Sequence, residues 1–498
     1  MSQKRKVLML TNSEYGQANI FLATCYALMG TAPDVEIHLA SFAPIRTAVI
    51  AASEAGIKAH PKASPINFYE IHGTNYFKAL LSPEVGGRRL LEIAPSFRTI
   101  PTVLRIIARA AMPYTGPEMV ENCNEIRRII EQVEPDWTLV DNMFTPGLTM
   151  ARHMGIKWMI LSPNTLKDLA LPLQPKAAFF WKYPCVGTAL PFPIPWHLIP
   201  LNVLYVFILI FFMIFNSDAR RARDHVTETI GARIFDQQEF GNPQPKLKML
   251  MASSPEFDFP AELKPDNIIP CGPIMRPVPA VEEVDPELLT WLARGPTVFI
   301  NLGTLSWTTE DQAVGMAQAL RSLLAGWREK GEDRRLQVLW KLKQTTDGHI
   351  EYDIHEKGCR LERILGSEFD NDTVRVVKWV EAEPYAVLRT GNIICSVNQG
   401  GANSFWEALC TGVPQVVLPV WADTYDFAQR VEYLGIGKWG SPTTAPRYRA
   451  EELSDALTQV ITGRSARKFQ LRSKELAKQR FQLGEGRDVV ARHIVENI

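Results

Sequence analysis

The sequence predicts an α/β chain of two doubly wound, Rossmann-like domains in tandem, facing each other across a cleft. Three observations carry that expectation. At 498 residues the chain is too long for one ordinary hydrophobic core. Short apolar runs alternate with segments that end at glycine, the pattern of parallel strands covered on both faces by helices. The rhythm also stops and restarts, because a proline- and acid-rich stretch from Pro277 to Asp285 separates two such series.

In the first series Lys6–Thr11 reads as a strand, Gln17–Met29 as a helix stopped by Gly30, and Val35–Phe42 as the next strand. Val7-Leu8-Met9-Leu10 is too short for the apolar region of a secretory signal, and Thr11, Asn12 and Ser13 follow it at once. Trp137–Val140 is a strand that runs into Asp141, Gly147–Met154 a helix stopped by Gly155, and Lys157–Leu161 a further strand. Residues 165–240 break the pattern with seven prolines between Pro172 and Pro200, many aromatics and an apolar run. This elaborated region reads either as a lipophilic pocket or as a surface excursion.

The apolar run extends from Leu198 to Phe215 and is interrupted only by Pro200 and Asn202. Its clean part, 203–215, falls short of the roughly 20 residues that a spanning helix needs. A buried or interfacial helix is the first reading and a true span the alternative. Arg220, Arg221 and Arg223 follow the run, placed for an anionic membrane surface or for an ordinary solvated helix face.

The second series repeats the alternation. Thr297–Leu302 is a strand, Thr309–Lys330 a helix, and Leu336–Leu342, Val374–Val380 and Asn392–Val397 are strands. Asn403–Thr411 is a helix ended by Gly412, Val416–Val420 a strand, and Tyr425–Leu434 a helix ended by Gly435. A last helix covers Arg464–Leu483. The expected division is a first domain over 1–276, a linker over 277–290, a second domain over 291–463 and a helical tail over 464–498.

Composition narrows the partners. Lys plus Arg and Asp plus Glu are 54 each, so no basic surplus points to nucleic acid. The seven cysteines form no CxxC pair and sit at no metal-ligand spacing from histidine. They read as reduced, mostly buried thiols of a cytoplasmic protein, with or without attachment to a membrane through 198–215.

The richest chemistry lies between 379 and 424. Trp379 stands at a strand end; Gln399-Gly400-Gly401-Ala402-Asn403-Ser404 follows, then Glu407, then Pro419-Val420-Trp421-Ala422-Asp423-Thr424. A glycine pair where a strand turns into a helix lets a ligand approach the backbone, and the helix N-terminus favours an anion such as a diphosphate. Asn403 and Glu407 share a helix face, and a carboxylate there can accept hydrogen bonds from a ribose diol. Taken alone, Gly-Gly with a Ser or Asn beside it also serves simply to start a helix. The joint order and spacing decide between the two.

That order resembles the donor-binding signature of the family 1 UDP-glycosyltransferases, and within them the fungal branch that acts on small lipophilic acceptors. The resemblance covers nearly the whole chain, since Val7–Asn19 looks like the family's first strand and acceptor loop, and Thr297–Thr304 like the first strand of its second domain. It implies a GT-B fold whose tail packs back on the first domain. It implies that Trp379 stacks on uracil, that Glu407 binds the ribose, and that Gly401, Asn403, Ser404 and the Gly303-Thr304 turn hold the diphosphate. Asp423 and Thr424 would face the sugar. The donor is then a UDP-hexose, glucose first, though Thr424 stands where glucose-using relatives often have Gln. The sugar passes with inversion to a hydroxyl of a lipophilic acceptor such as a secondary metabolite. No metal is implied.

Two positions depart from the family pattern. Gln399 stands where a histidine usually precedes the glycine pair, and it can donate a hydrogen bond but carries no charge. Inverting members use a histidine after the first strand as general base, held by an aspartate. Asp141 matches that aspartate, but Gln17, or Tyr15 by a shifted alignment, stands in place of the base. Glutamine has no pKa suited to proton abstraction. Three readings stay open. Glu14 or Asp141 serves as base, with His72 and His153 as further options; or the acceptor hydroxyl is acidic enough to need little help; or the protein is a degenerate, weakly catalytic or non-catalytic binder of UDP-sugar.

Overall fold

The computed structural model describes residues 4–242, 244–304, 306–331, 334–344 and 352–498, and within them two all-parallel sheets. The first holds β1 (Lys6–Leu10), β2 (Glu36–Ser41), β3 (Asn67–Glu70), β4 (Trp137–Asp141), β5 (Trp158–Ser162), β6 (Met249–Met251) and β7 (Ile268–Pro270), in the order β3-β2-β1-β4-β5-β6-β7. The second holds β8 (Thr297–Asn301), β9 (Gln337–Lys341), β10 (Val374–Val377), β11 (Ile393–Asn398), β12 (Gln415–Val417) and β13 (Gly437–Trp439), in the order β10-β9-β8-β11-β12-β13. Two tandem doubly wound sheets are what the alternation predicts.

Each strand feeds two cores at once, because successive side chains leave opposite faces. Val7 and Met9 of β1 pack with the helices Tyr15–Thr31 and Gly486–Val495 on one face. Leu8 and Leu10 pack with the helix Gly116–Val133 on the other. In the second sheet Val298 and Ile300 of β8 meet the helices Glu310–Glu329 and Ala450–Ile461, while Phe299 turns to Trp291 and Ala408. Burial on both faces explains why these strands read as continuous apolar runs.

The stretch expected as a linker, 277–290, is helical from Val281 onward, broken at Asp285. Its helices are Val281–Val284 and Pro286–Leu292, and Val281 and Leu288 are buried in the second domain's core. Asp285 caps the second of these helices, its Oδ1 accepting the Leu288 N–H at 2.9 Å, and Pro286 fills the first helical position. Asp-Pro here is a helix start, not linker composition.

The tail forms two helices, Ala466–Gln482 and Gly486–Val495. The first lies against the helix Ala402–Thr411, and the second buries Val490, Ala491 and Ile494 in the first domain's core. All seven cysteines are free; five are buried and Cys359 and Cys410 half-buried.

Candidate active site

Both sheets reverse their winding. The chain passes from β1 out to β2 and β3, then returns to β4 on the other side of β1. The second sheet repeats this at β8 and β11. Loops diverge at such a reversal and leave a crevice beyond the strand C-termini. Asn12-Ser13-Glu14 and Asp141 stand at the first crevice, Gly303-Thr304 and Gln399-Gly400-Gly401 at the second.

At the second crevice two asparagines shape the loops. Asn301 and Asn398 are register partners at the ends of β8 and β11. Each Oδ1 accepts the N–H two residues on, from Gly303 at 3.1 Å and from Gly400 at 2.8 Å. Gly303 and Gly400 both have left-handed φ, +79° and +78°, which a side chain would strain. A Cβ on Gly400 would also lie 2.7 Å from the Thr424 carbonyl. The helix Ala402–Thr411 then starts at Gly401 with no side-chain cap, so its first N–H groups face the crevice at the positive end of the helix dipole. The Gln399 side chain lies over Gly303, and its buried Oε1 accepts no hydrogen bond from the described residues.

Two lysines that the motif does not reveal complete this side. Lys341, the last residue of β9, holds its Nζ 3.9 Å from the centroid of the Trp379 ring. Lys343 donates from Nζ to the Thr304 carbonyl and stands 4.9 Å from the Trp307 ring. Burial lowers the pKa of both ammonium groups; at Lys341 the charge of Lys343 lowers it further and Glu383 opposes. Two like charges thus line the path between the indole and the Gly303-Thr304 turn. The Trp379 side chain is 58% exposed. Glu407 is half-buried and its carboxylate has no hydrogen-bond partner among the described residues. Burial first and the charge of Glu383 second push it up to about 7, with Arg276 opposing. Glu383 therefore acts on both the Trp379 and the Glu407 ends.

The loop after β12 separates two residues assigned to the sugar. Asp423 is half-buried and carries a carboxyl pushed up to about 7, by burial first and then by Asp168 and Asp426. Ala422 before it has φ +37°, a strained value of the kind that clusters at functional sites. Thr424 is different, and the expectation that it faces the sugar is corrected. It is buried, and its hydroxyl accepts the Val420 and Trp421 N–H groups at 3.1 and 3.0 Å and donates to the Trp421 carbonyl. All its hydrogen-bonding capacity closes the turn.

At the first crevice Asp141 is fully buried and surrounded by donors. Its Oδ2 accepts from Thr11 Oγ1 at 3.3 Å and from the Asn12 N–H and Nδ2 at 3.2 Å each; Oδ1 accepts the Met143 N–H at 2.8 Å. Burial pushes its pKa up to about 6 against those bonds. Glu14 differs. One carboxylate oxygen accepts the Phe77 N–H at 3.3 Å, and the other is buried without a partner. Burial, with the Asp141 charge adding, pushes it up to about 7. Gln17 sits in the first turn of the helix Tyr15–Thr31, and its Oε1 is also unpartnered. Asp141 therefore orders Thr11 and Asn12, not Gln17.

The structure places His72 and His153 on the surface. His72 is exposed beside Glu70 at 3.6 Å, and His153 is exposed at the last position of the helix Thr145–His153, away from the crevice.

The two crevices meet. Asn403 Nδ2 donates to the Tyr15 carbonyl at 3.2 Å, joining the uncapped helix to the loop that carries Glu14. The Tyr76 hydroxyl is raised by burial first and then by the charges of Glu14, Asp423 and Asp141, so carboxylates of both domains converge on it. Tyr114, beside Glu14, keeps a buried hydroxyl with no partner among the described residues. Neither tyrosine lies in a motif, and only the fold reveals them. A cavity of 350 Å³ opens between the domains, lined by Arg88 and Glu92 of the first and Ser306, Trp307 and Tyr448 of the second.

Comparison with known proteins points the same way. Residues 366–492 match the family described as erythromycin biosynthesis protein CIII-like, C-terminal domain. The chain is 33% identical over 451 residues to Glycosyltransferase sdnJ of Sordaria araneosa, an alignment spanning 88% of this chain and 84% of that one. Among solved structures it superposes on TcCGT1 in complex with UDP with a TM-score of 0.62 at 16% identity, over 100% of both chains. A UDP-glucosyltransferase from Polygonum tinctorium gives a TM-score of 0.61 at 16% identity, over 99% of this chain and 98% of that one. The fold is GT-B.

Proposed function

The chain belongs to the family 1 UDP-glycosyltransferases, and from that premise we propose that it moves a hexose, glucose first, from UDP to a hydroxyl of a small lipophilic acceptor, such as a secondary metabolite, with inversion. The observation that carries the catalytic part is Glu14: a half-buried carboxylate near neutral pKa, with one free oxygen, joined through Tyr15 to the uncapped helix at Ala402.

In this mechanism Glu14 takes the base role that histidine fills elsewhere. The acceptor oxygen forms a bond to the anomeric carbon while its proton passes to the free Glu14 oxygen. The bond from the anomeric carbon to the β-phosphate oxygen breaks, and UDP leaves with the electron pair. Asp141 is a positioning residue: it orders Thr11 and Asn12, and its charge adds to the burial that raises the Glu14 pKa. The helix N-terminus receives the diphosphate. Asp423 binds a sugar hydroxyl. The step needs no metal, and the protein works in the cytoplasm. Incubation with UDP-glucose and a panel of phenolic, terpenoid and sterol acceptors tests the reading. Acceptor-dependent UDP release supports it; UDP binding without product with every acceptor refutes it.

Lys341 and Lys343 supply the positive charge that Gln399 lacks. With both changed to Gln, UDP affinity is expected to fall at least about tenfold by calorimetry, the scale of losing charge-assisted hydrogen bonds. Uridine affinity is expected to stay within about twofold, since uridine has no phosphate. Equal losses for both ligands would remove the phosphate assignment.

Uracil stacks on the indole of Trp379. Trp379→Ala is expected to weaken UDP and uridine alike by about 5- to 100-fold, the range that base–aromatic stacking supports. Unchanged uridine binding would end the stacking assignment.

A further inference from the structure

The apolar run forms one helix, Ile199–Ile214, of which only Asn202, Tyr205 and Val206 are buried. That side is fastened to the protein. Asn202 accepts the Cys185 N–H at 2.8 Å and donates to the Phe180 and Tyr183 carbonyls at 2.8 and 2.9 Å. Tyr205 and Val206 pack with Ile100 and Leu104 of the neighbouring helix Ile100–Ala110. The other side presents Leu204, Phe207, Phe211 and Phe215 in one stripe, 45, 57, 55 and 63% exposed. A shallow apolar trough between Pro101 and Phe211 lies along the stripe, and Phe97, just before the neighbouring helix, is 70% exposed.

Charge accompanies the stripe. The two segments that build this face, residues 93–117 and 169–217, contain Arg98, Arg105, Arg109, Lys176 and Lys182 and no aspartate or glutamate, in a chain of zero net charge. Arg109 is spoken for by Asp218, and Lys182 by Glu262. Arg98, Arg105 and Lys176 are exposed.

We propose that this face is a docking surface for a lipid bilayer with anionic headgroups, on which the helix Ile199–Ile214 lies in the interface plane. An apolar aromatic stripe with a cationic rim fits acyl chains below and anionic headgroups beside them. A second copy of the chain fits poorly, because an isologous pairing sets one cationic rim against the other. The continuous helical stretch Trp196–Ile230 is long and apolar enough to cross a membrane by length and composition alone, but the apolar helix within it is short and fastened. Sixteen residues rise only about 24 Å against a hydrocarbon core of about 30 Å, and Asn202 ties the helix to the protein. The helix that follows, Ser217–Ile230, is polar and charged. On the inner side Val103 and Ile106 pack against Trp421, two residues from Asp423, so docking brings the cleft to the lipid surface.

The test is flotation of the full chain with vesicles of phosphatidylcholine plus phosphatidylserine, and with vesicles of phosphatidylcholine alone. Binding to the mixed vesicles is expected, weaker at high salt and weaker on the neutral ones. Phe207→Ser with Phe211→Ser should lower it at least about tenfold, since two exposed aromatic rings no longer enter the acyl region. Arg98→Gln and Arg105→Gln should each lower it roughly fivefold on the mixed vesicles only. Unchanged UDP binding by calorimetry shows that each variant is folded. Absence of flotation, flotation untouched by the phenylalanine changes, or equal binding to neutral vesicles overturns the proposal. A dimer in light scattering that the phenylalanine changes dissolve overturns it too, giving the face to a second copy.

Discussion

Replacing Glu14 with glutamine is expected to lower kcat by about 100- to 10,000-fold, the range that general-base catalysis contributes. The change keeps the size of the side chain and the oxygen that accepts the Phe77 N–H, and it removes only the ability to take a proton. UDP affinity is expected to stay unchanged. The pH profile gives an independent reading. Burial raises Glu14 to about 7, so the base is protonated and idle below that pH and charged above it. In the unmodified protein kcat/KM should therefore fall toward acid with a midpoint near 7, and Glu14→Gln should lose that limb. Asp141→Asn removes a neighbouring charge that raises Glu14, so the limb should move to lower pH. A Glu14→Gln protein of ordinary turnover would return the base role to the acceptor's own acidity.

Changing Asp258 to alanine is expected to cost about 3–5 kcal/mol, the scale of leaving one charge of a buried pair alone. Asp258 belongs to the first domain and Arg430 to the helix Thr424–Leu434 of the second. Their side chains approach to 2.8 Å and each is 1% exposed. Arg430 also lies 4.6 Å from the Phe427 ring centroid and 5.0 Å from that of Phe259. A second buried pair, Lys167 with Asp426, crosses the same interface. The measurement is the urea midpoint of the variant against Arg233→Ala. Arg233 is 82% exposed in its pair with Glu239, and its loss should move stability by under about 1 kcal/mol. Asp258→Leu with Arg430→Met should recover most of the loss, because an apolar pair leaves no charge unsatisfied. If Asp258→Ala were as mild as Arg233→Ala, the interface would not depend on this pair.

What the chain wrote in one dimension is what short stretches decide locally. Val7 to Leu10 and Thr297 to Leu302 announce buried parallel strands, because both faces of each are covered by helices. Gly400-Gly401 ahead of Asn403, Ser404 and Glu407 announces a tight glycine turn into a helix start, because a strand end, two glycines and a helix start are neighbours in sequence. Residues 249–251, 268–270 and 437–439 give no such signal: a three-residue strand has too little period to read, and only pairing with β5, β6 and β12 respectively makes them strands.

Long-range contact decided the rest. Asp141 and Asn12 are 129 positions apart, and only folding spends the carboxylate on Asn12 and leaves Glu14 the free oxygen. Lys341 ends β9 and Trp379 follows the neighbouring β10, so no motif could show an ammonium on an indole. Thr424 looked like a sugar contact and became a turn brace, because its hydroxyl found three backbone partners. The apolar run fixed that a helix would form; Asn202 and Tyr205 decided which side would be held and which left bare. Secondary structure and turn chemistry follow from neighbours along the chain. Burial, pKa and partner choice follow from neighbours in space, and those exist only after the two sheets have closed on each other.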